Sequence, residues 1–278
     1  MNRTYRTLSI VQAAFAAVAL AIASPASWAN GDDEDEEENP FDEAEIFFEL
    51  NDTDGDLGIH ALIDGDAWKH LSIEDSRGRK MLNIWVRGRL RKQGLTEIFF
   101  ESAEPTFDEL LPVDFFNRFP PGEYVIEGWT LDWEKLESET TLTHLMPAPA
   151  GGIAFNGGTP INLDSVDCDE SGTIPVVTAP VSISWEPVTM SHPDADGGGA
   201  GVQPPESVEI NNYQVVVEVE TADEDELELS VILPPGTTSL AVPEAFTNLD
   251  GDGQIKFEIL AREESFNQTA VESCFVLD

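Results

Sequence analysis

Asp52-Thr-Asp54-Gly-Asp56-Leu-Gly58 sets three carboxylates at alternate positions, the arrangement by which calcium loops wrap one hard cation in oxygens. Asp52, Asp54 and Asp56 are therefore the candidate metal ligands, with Ca2+ as the candidate ion. An EF-hand wants glycine at the sixth position and glutamate at the twelfth. Leu57 and Ile63 stand there, and the residues beyond them read as a strand, so this is no EF-hand. The competing reading is a polar turn, because Asp and Gly are ordinary turn residues. Asp64-Gly-Asp66 and Asp250-Gly-Asp252-Gly253 are shorter versions, read as hairpin or loop turns.

A second candidate lies in the distribution of positive charge. Eight of the chain's 14 basic residues fall between Lys69 and Lys92. If Leu82, Ile84, Val86 and Leu90 face a core, strand alternation puts Trp85, Arg87, Arg89 and Arg91 together on the outer face. Such a stripe, headed by an aromatic ring, could take an anionic partner. It could equally dock the chain's own acidic segment Asp32 to Glu38, or pair across strands with Glu97 and Glu101.

Catalysis finds little support. His60, His70, His144 and His192 lack metal-ligand spacing, and no Gly-x-Ser-x-Gly, His-Glu-x-x-His or phosphate loop occurs. His60 and His70 read as strand-surface residues. A glycosidase would need two carboxylates paired in space, with Trp68, Trp85, Trp129 and Trp133 lining one groove beside them. Cys168 and Cys274 are the only cysteines and are not spaced as a redox pair. In an oxidising compartment they form a disulfide.

The elements that must hold these residues follow from the rest of the chain. The 278 residues carry 54 acidic against 14 basic side chains, a formal net charge of −40, and 41% of them are hydrophobic. That apolar content excludes full disorder. The charge opposes phosphate backbones and anionic bilayers, so nucleic acid is excluded as a partner, and no segment after residue 29 suits membrane insertion. Arg3 and Arg6, the apolar stretch Leu8–Ile22 and the small residues Ser27 and Ala29 read as a signal peptide over 1–29, which puts the mature chain in the periplasm or outside the cell. Residues 30–44 read as an acidic disordered leader.

From 45 to 146 short alternating segments predict antiparallel strands, among them Ile46, Phe48 and Leu50, then Ile59, Ala61 and Ile63, then Leu71 and Ile73. Thr106-Phe-Asp-Glu109 reads as a capping box opening a short helical insertion that Pro112 splits. Residues 147–180 read as a Pro/Gly-rich linker or irregular first strand. From 181 to 278 strands return, with Tyr213, Val215, Val217 and Val219 and then Ile255, Phe257, Ile259 and Ala261 alternating. The prediction is all-β, two antiparallel β-sandwiches in tandem.

The second region, about 174–278, resembles a fibronectin type III domain. The resemblance is carried by Trp185 in Ser184-Trp185-Glu186-Pro187, Tyr213, Leu240, and Phe257-Glu-Ile259-Leu-Ala261 followed by Glu264-Ser-Phe-Asn-Gln-Thr269. It departs at Phe257, which lacks the hydroxyl of the family's corner tyrosine, and in the long insertion from Met190 to Ser207. No Arg-Gly-Asp tripeptide precedes the last strand. The first region is only loosely similar to immunoglobulin-like sandwiches, through Gly122-Glu-Tyr124. The resemblance implies a spacer or binding module. It also turns Cys274 away from a core holding Val271, Phe275 and Leu277, within reach of Cys168. Function is thus expected to be that of an exported, non-catalytic module recognising a protein or polysaccharide, with a calcium-dependent structural protein and a carbohydrate-active enzyme as alternatives.

Overall fold

The computed structural model describes residues 39–193, 206–220, 226–248 and 254–278. The signal-peptide segment, most of the acidic leader and Asp250-Gly-Asp252-Gly253 lie outside the described residues.

The strands, in chain order, are β1 (Glu43–Asn51), β2 (Asp56–Glu74), β3 (Lys80–Trp85), β4 (Leu95–Glu101), β5 (Gly122–Thr130), β6 (Lys135–Leu142), β7 (Ala154–Phe155), β8 (Val176–Val177), β9 (Ser182–Ser184), β10 (Ile210–Glu220), β11 (Glu226–Leu233), β12 (Ser239–Ala241), β13 (Gln254–Glu263) and β14 (Gln268–Leu277). Two short helices, α1 (Pro112–Phe116) and α2 (Glu244–Thr247), interrupt them. The fold is all-β, as the alternation predicts. Eleven strands share one sheet and β12-β9-β7 form a second.

β2 organises the first half. It is 19 residues long, and the sequence reading broke it at Asp64-Gly65-Asp66, where the structure has no turn. That expectation is corrected: the register with β4 and β5 shifts on either side of Trp68, so β2 bends there and continues. Gly65 lies under Phe41, whose ring would be 3.1 Å from an added Cβ, so the bend is held by packing. Before the bend β2 pairs with β1 and β4; after it, with β3 and β5. β6 follows β5, and its Glu137 N–H donates to Asn39 O, returning the layer to the start of β1. Between the two layers lie Ile46, Phe48 and Leu50 of β1, Ile59, Ala61 and Ile63 of β2, and Tyr124 and Ile126 of β5. Each large apolar side chain so buried contributes about 1.5–3 kcal/mol.

The helical insertion follows the prediction in part: residues 107–109 form only a turn, and the helix beyond it has Leu111 at its N-cap with no side-chain cap. Thr106 N–H donates to Glu109 Oε2 at 3.4 Å, and α1 begins at Pro112, whose missing N–H costs nothing at a helix start. Phe115 and Phe116 then meet Phe48 edge-on, with ring centroids 6.0 and 5.0 Å away. Tyr124 Oη donates to Pro120 O at 3.0 Å, a tyrosine-corner bond four residues back along the chain.

A second core holds Val215 and Val217 of β10, Ile255, Phe257 and Ile259 of β13, and Phe275 of β14. Phe155 and Ile183 close it from the small sheet, Phe155 lying 5.0 Å from Phe275 and 5.8 Å from Phe257. The large sheet runs without a break past both cores, because β1 pairs with β14 over Glu49–Asn51 and Gln268–Ala270. That pairing is parallel, as is the short one between β8 and β14, so the sheet is mixed rather than purely antiparallel. Where the β1–β14 ladder ends, the fully buried Asn267 side chain continues it. Its Oδ1 accepts from Phe48 N–H at 2.8 Å, and its Nδ2 donates to Thr143 O at 3.1 Å, Thr143 Oγ1 at 3.0 Å and Leu145 O at 3.0 Å.

Candidate interaction surface

β3 ends at Trp85, and the backbone then turns through Gly88, at φ +64°, into a single 3-10 turn over Leu90–Lys92. The predicted strand stripe is therefore corrected. Trp85 stands on the sheet, but Arg87, Arg89 and Arg91 stand on a loop, and Leu90, expected in the core, is exposed. The physical reason is Gly88, whose left-handed conformation stops strand alternation. Val86, as expected, is buried in the first core.

The basic residues nevertheless share one exposed loop. Arg87, Arg89, Arg91 and Lys92 are all exposed, and none makes an ion pair with a carboxylate among the described residues. The expected pairing with Glu97 and Glu101 does not form, since β4 runs beside β2, where those residues face Asp64 and His60. Lys69 adjoins the loop: its backbone carbonyl accepts from Val86 N–H, and burial together with the Arg91 charge lowers its ammonium pKa. Its Nζ donates to Leu131 O at 2.8 Å and lies 3.3 Å from the centre of the Trp133 ring.

Aromatic rings complete the surface. The sheet register sets Trp85, His70, Trp129 and Lys135 in one row across β3, β2, β5 and β6. His70 lies 4.2 Å from Trp85 by ring centres and shares a 2.9 Å hydrogen bond with Asn83. Trp85 is 48% exposed and Trp133 56%. Indole faces stack on sugar rings, and guanidinium forks bind carboxylate or sulfate in a bidentate way. Trp68 does not join them: it is wholly buried in the first core, so the four tryptophans of the glycosidase reading do not line one groove.

On the other side of the first core a different cluster forms that sequence spacing did not suggest. Glu49 of β1, His60 of β2 and Glu104, just beyond β4, bring their side chains together. His60 Nε2 lies 3.1 Å from Glu104 Oε1, and its Nδ1 lies 3.8 Å from Glu49 Oε2. Gln268 Nε2 donates to Glu49. Burial raises the Glu49 carboxyl pKa, partly countered by His60. Burial opposes the His60 imidazolium, but the Glu104 hydrogen bond and the charges of Glu49 and Glu101 prevail and raise its pKa. The signal that could have found the pair is the β1–β2 hairpin register, in which Phe47 faces His60 and Glu49 faces Gly58.

The acidic loop is a closed turn. Asn51 Oδ1 accepts from Thr53 and Asp54 N–H, and Gly55 N–H donates to Asn51 O at 2.8 Å. Asp52 turns to His192 Nε2 at 2.9 Å, while Asp54 is exposed. Asp56 is buried, and burial followed by the charges of Glu104 and Asp54 raises its pKa to about 7. The three carboxylates are not gathered into one ligand set; the only such set among the described residues is Glu49, His60 and Glu104. Cys168 and Cys274 are joined in a disulfide, Cα atoms 5.9 Å apart, and Cys274 stands outside the second core yet is fully buried.

No protein-family model matches the chain, and no curated protein matches it. Solved structures similar to it include a tetra-tandem repeat from the extending region of a large adhesion protein, at 12% identity and a TM-score of 0.24, covering 85% of this chain and 50% of that one. A BSP domain of a biofilm-associated protein gives 10% identity and a TM-score of 0.22, over 84% of this chain and 29% of that one. A bacterial ice-binding adhesin of 1.5 MDa, described for host cell surface retention, gives 11% identity and 0.21, over 87% and 66%. The chain spans at most about two thirds of the length of each. No described helix is long and apolar enough to cross a membrane.

Proposed function

We propose that the chain is an exported, non-catalytic binding module whose loop 86–92, flanked by Trp85 and Trp133, recognises an acidic polysaccharide. One observation carries this reading: on a chain with 54 carboxylates, the cationic groups of Arg87, Arg89, Arg91 and Lys92 remain without an acidic partner among the described residues. Charges more than about 8 Å apart are largely screened at physiological salt, so the ligand meets the local patch rather than the net −40. A polymer of sugar rings carrying carboxylates uses both the indole faces and the guanidinium groups. Export is supported by the signal-peptide pattern and by the disulfide, which belongs to oxidising compartments. The three-stranded sheet β12-β9-β7 packed on β11-β10-β13-β14 supports a fibronectin type III-like reading of the second half, as the part that spaces and supports the binding surface.

The test is binding to polygalacturonate, to a neutral glucan and to a DNA oligonucleotide at several salt concentrations. Polygalacturonate is retained, weakening with salt, and the triple variant Arg87→Ala, Arg89→Ala, Arg91→Ala binds it about tenfold to a hundredfold less tightly, from roughly 0.5–1 kcal/mol per exposed charge contact. Unchanged binding by that variant, or preference for DNA, overturns the reading.

A further inference from the structure

We infer that Glu49, His60 and Glu104 form a binding site for a zinc-class divalent transition ion. The site is independent of the basic loop. Its donor atoms, one from each side chain, all lie within 4.8 Å of one another. Donors around a tetrahedral zinc at 2.0–2.1 Å sit about 3.4 Å apart, and an imidazole ligates through one nitrogen, so closure draws the two carboxylates to the same nitrogen of His60. The 3.8 Å gap between His60 Nδ1 and Glu49 Oε2 is too long for a hydrogen bond and lies near that donor spacing, whereas Glu104 Oε1 sits on the other ring nitrogen, 3.1 Å from Nε2, and leaves that hydrogen bond to share the ion.

Two further features prepare the site. Gln268 Nε2 donates to Glu49 Oε2, the oxygen that faces His60, and so fixes where that carboxylate points, as outer-shell partners orient metal ligands. Gly58 leaves open the space through which Glu104 crosses β2: a Cβ there would lie 2.5 Å from Glu104 Oε1 and 2.8 Å from its Cγ. Phe47 and Phe99 flank the imidazole, with ring centres 5.4 and 5.8 Å away, and fix its orientation. One nitrogen and two carboxylate oxygens suit zinc, iron(II) or cobalt(II) better than calcium, which prefers an all-oxygen shell.

The experiment titrates Co2+ into the full chain, then adds Zn2+ to the cobalt-loaded chain, and separately titrates Zn2+ and Ca2+ each alone, reading the visible d–d bands of cobalt and the melting temperature. One equivalent of Co2+ gives a band in the visible, Zn2+ displaces it, and Zn2+ in hundredfold excess over its Kd raises the melting temperature by about 5–10 °C. His60→Asn and Glu104→Gln abolish both effects, whereas Asp54→Ala and Arg89→Ala retain them. Should His60→Asn fail to fold, Glu104→Gln, with its shape kept, decides alone. The inference is overturned by the absence of a stoichiometric band, by equal shifts with Ca2+ and Zn2+, or by an undiminished response in Glu104→Gln.

Discussion

Replacing Asn267 by alanine removes one small side chain and strands several backbone groups at the junction of the two cores. Phe48 N–H loses its acceptor, and the carbonyls of Thr143 and Leu145 lose a donor, all around a residue with no exposed surface. A buried polar group left without a partner costs about 1–3 kcal/mol, and water entering the vacated space recovers part of that. The expected destabilisation is about 3–5 kcal/mol. Asn267→Asp is a sharper probe: it keeps the acceptor for Phe48 N–H but turns the donor into an oxygen facing three other oxygens, so it is at least as damaging as alanine. Both variants are read by urea unfolding followed by circular dichroism, with the midpoint and slope compared with those of the wild type. A loss below about 1 kcal/mol for both would refute the role given to Asn267, because one ordinary hydrogen bond accounts for that much.

The disulfide spans 106 residues of sequence, and loop-closure entropy assigns it about 5 kcal/mol, so replacing Cys168 and Cys274 together by alanine should lower stability by roughly that amount; a loss below ~1 kcal/mol, measured under the same urea protocol, would show that the unfolded chain is already constrained. Glu258 faces Glu272 across β13 and β14, and burial, then the charges of Glu49 and Glu272, hold its pKa well above the ordinary value of 4.5. A folded pKa above the unfolded one means that its contribution is whole below pH about 4.5 and is lost as pH rises through the raised value. Glu258→Gln should therefore match the wild type near pH 4 and exceed it in stability at pH 7; superimposable stability–pH curves would exclude the effect.

The strands that bury one face were legible from sequence. Period-two runs such as Tyr213 to Val219 and Ile255 to Ala261 keep one set of side chains in the second core, and that constraint is written residue by residue. The bend of β2 was not legible, because Asp64-Gly65-Asp66 has the local chemistry of a turn and only the distant Phe41 makes it a bend. The same limit hid the join between β1 and β14, which brings together residues 219 apart, as in the pairing of Glu49 with Gln268. Asn267 entered the sequence reading only within the run Glu264-Ser-Phe-Asn-Gln-Thr269, whereas the structure buries it completely. At the proposed binding surface, Trp85, Arg87, Arg89 and Arg91 are exposed as the sequence reading expects but their backbone is not the strand it expects, since a glycine at positive φ breaks alternation without changing composition. The Glu49, His60 and Glu104 cluster needed a strand register, which pattern alone supplies only once a turn length is known.

The parallel join of β1 and β14 sets how the fold answers a pulling force. A pull that draws the start of β1 and the end of β14 in opposite directions acts along both strands, so their hydrogen bonds and the Asn267 bridge are sheared together instead of being unzipped one after another. Resistance to tension along that axis is then set by the rate of crossing one cooperative rupture barrier and not by equilibrium stability. The buried amide of Asn267 acts as the pin of that clamp.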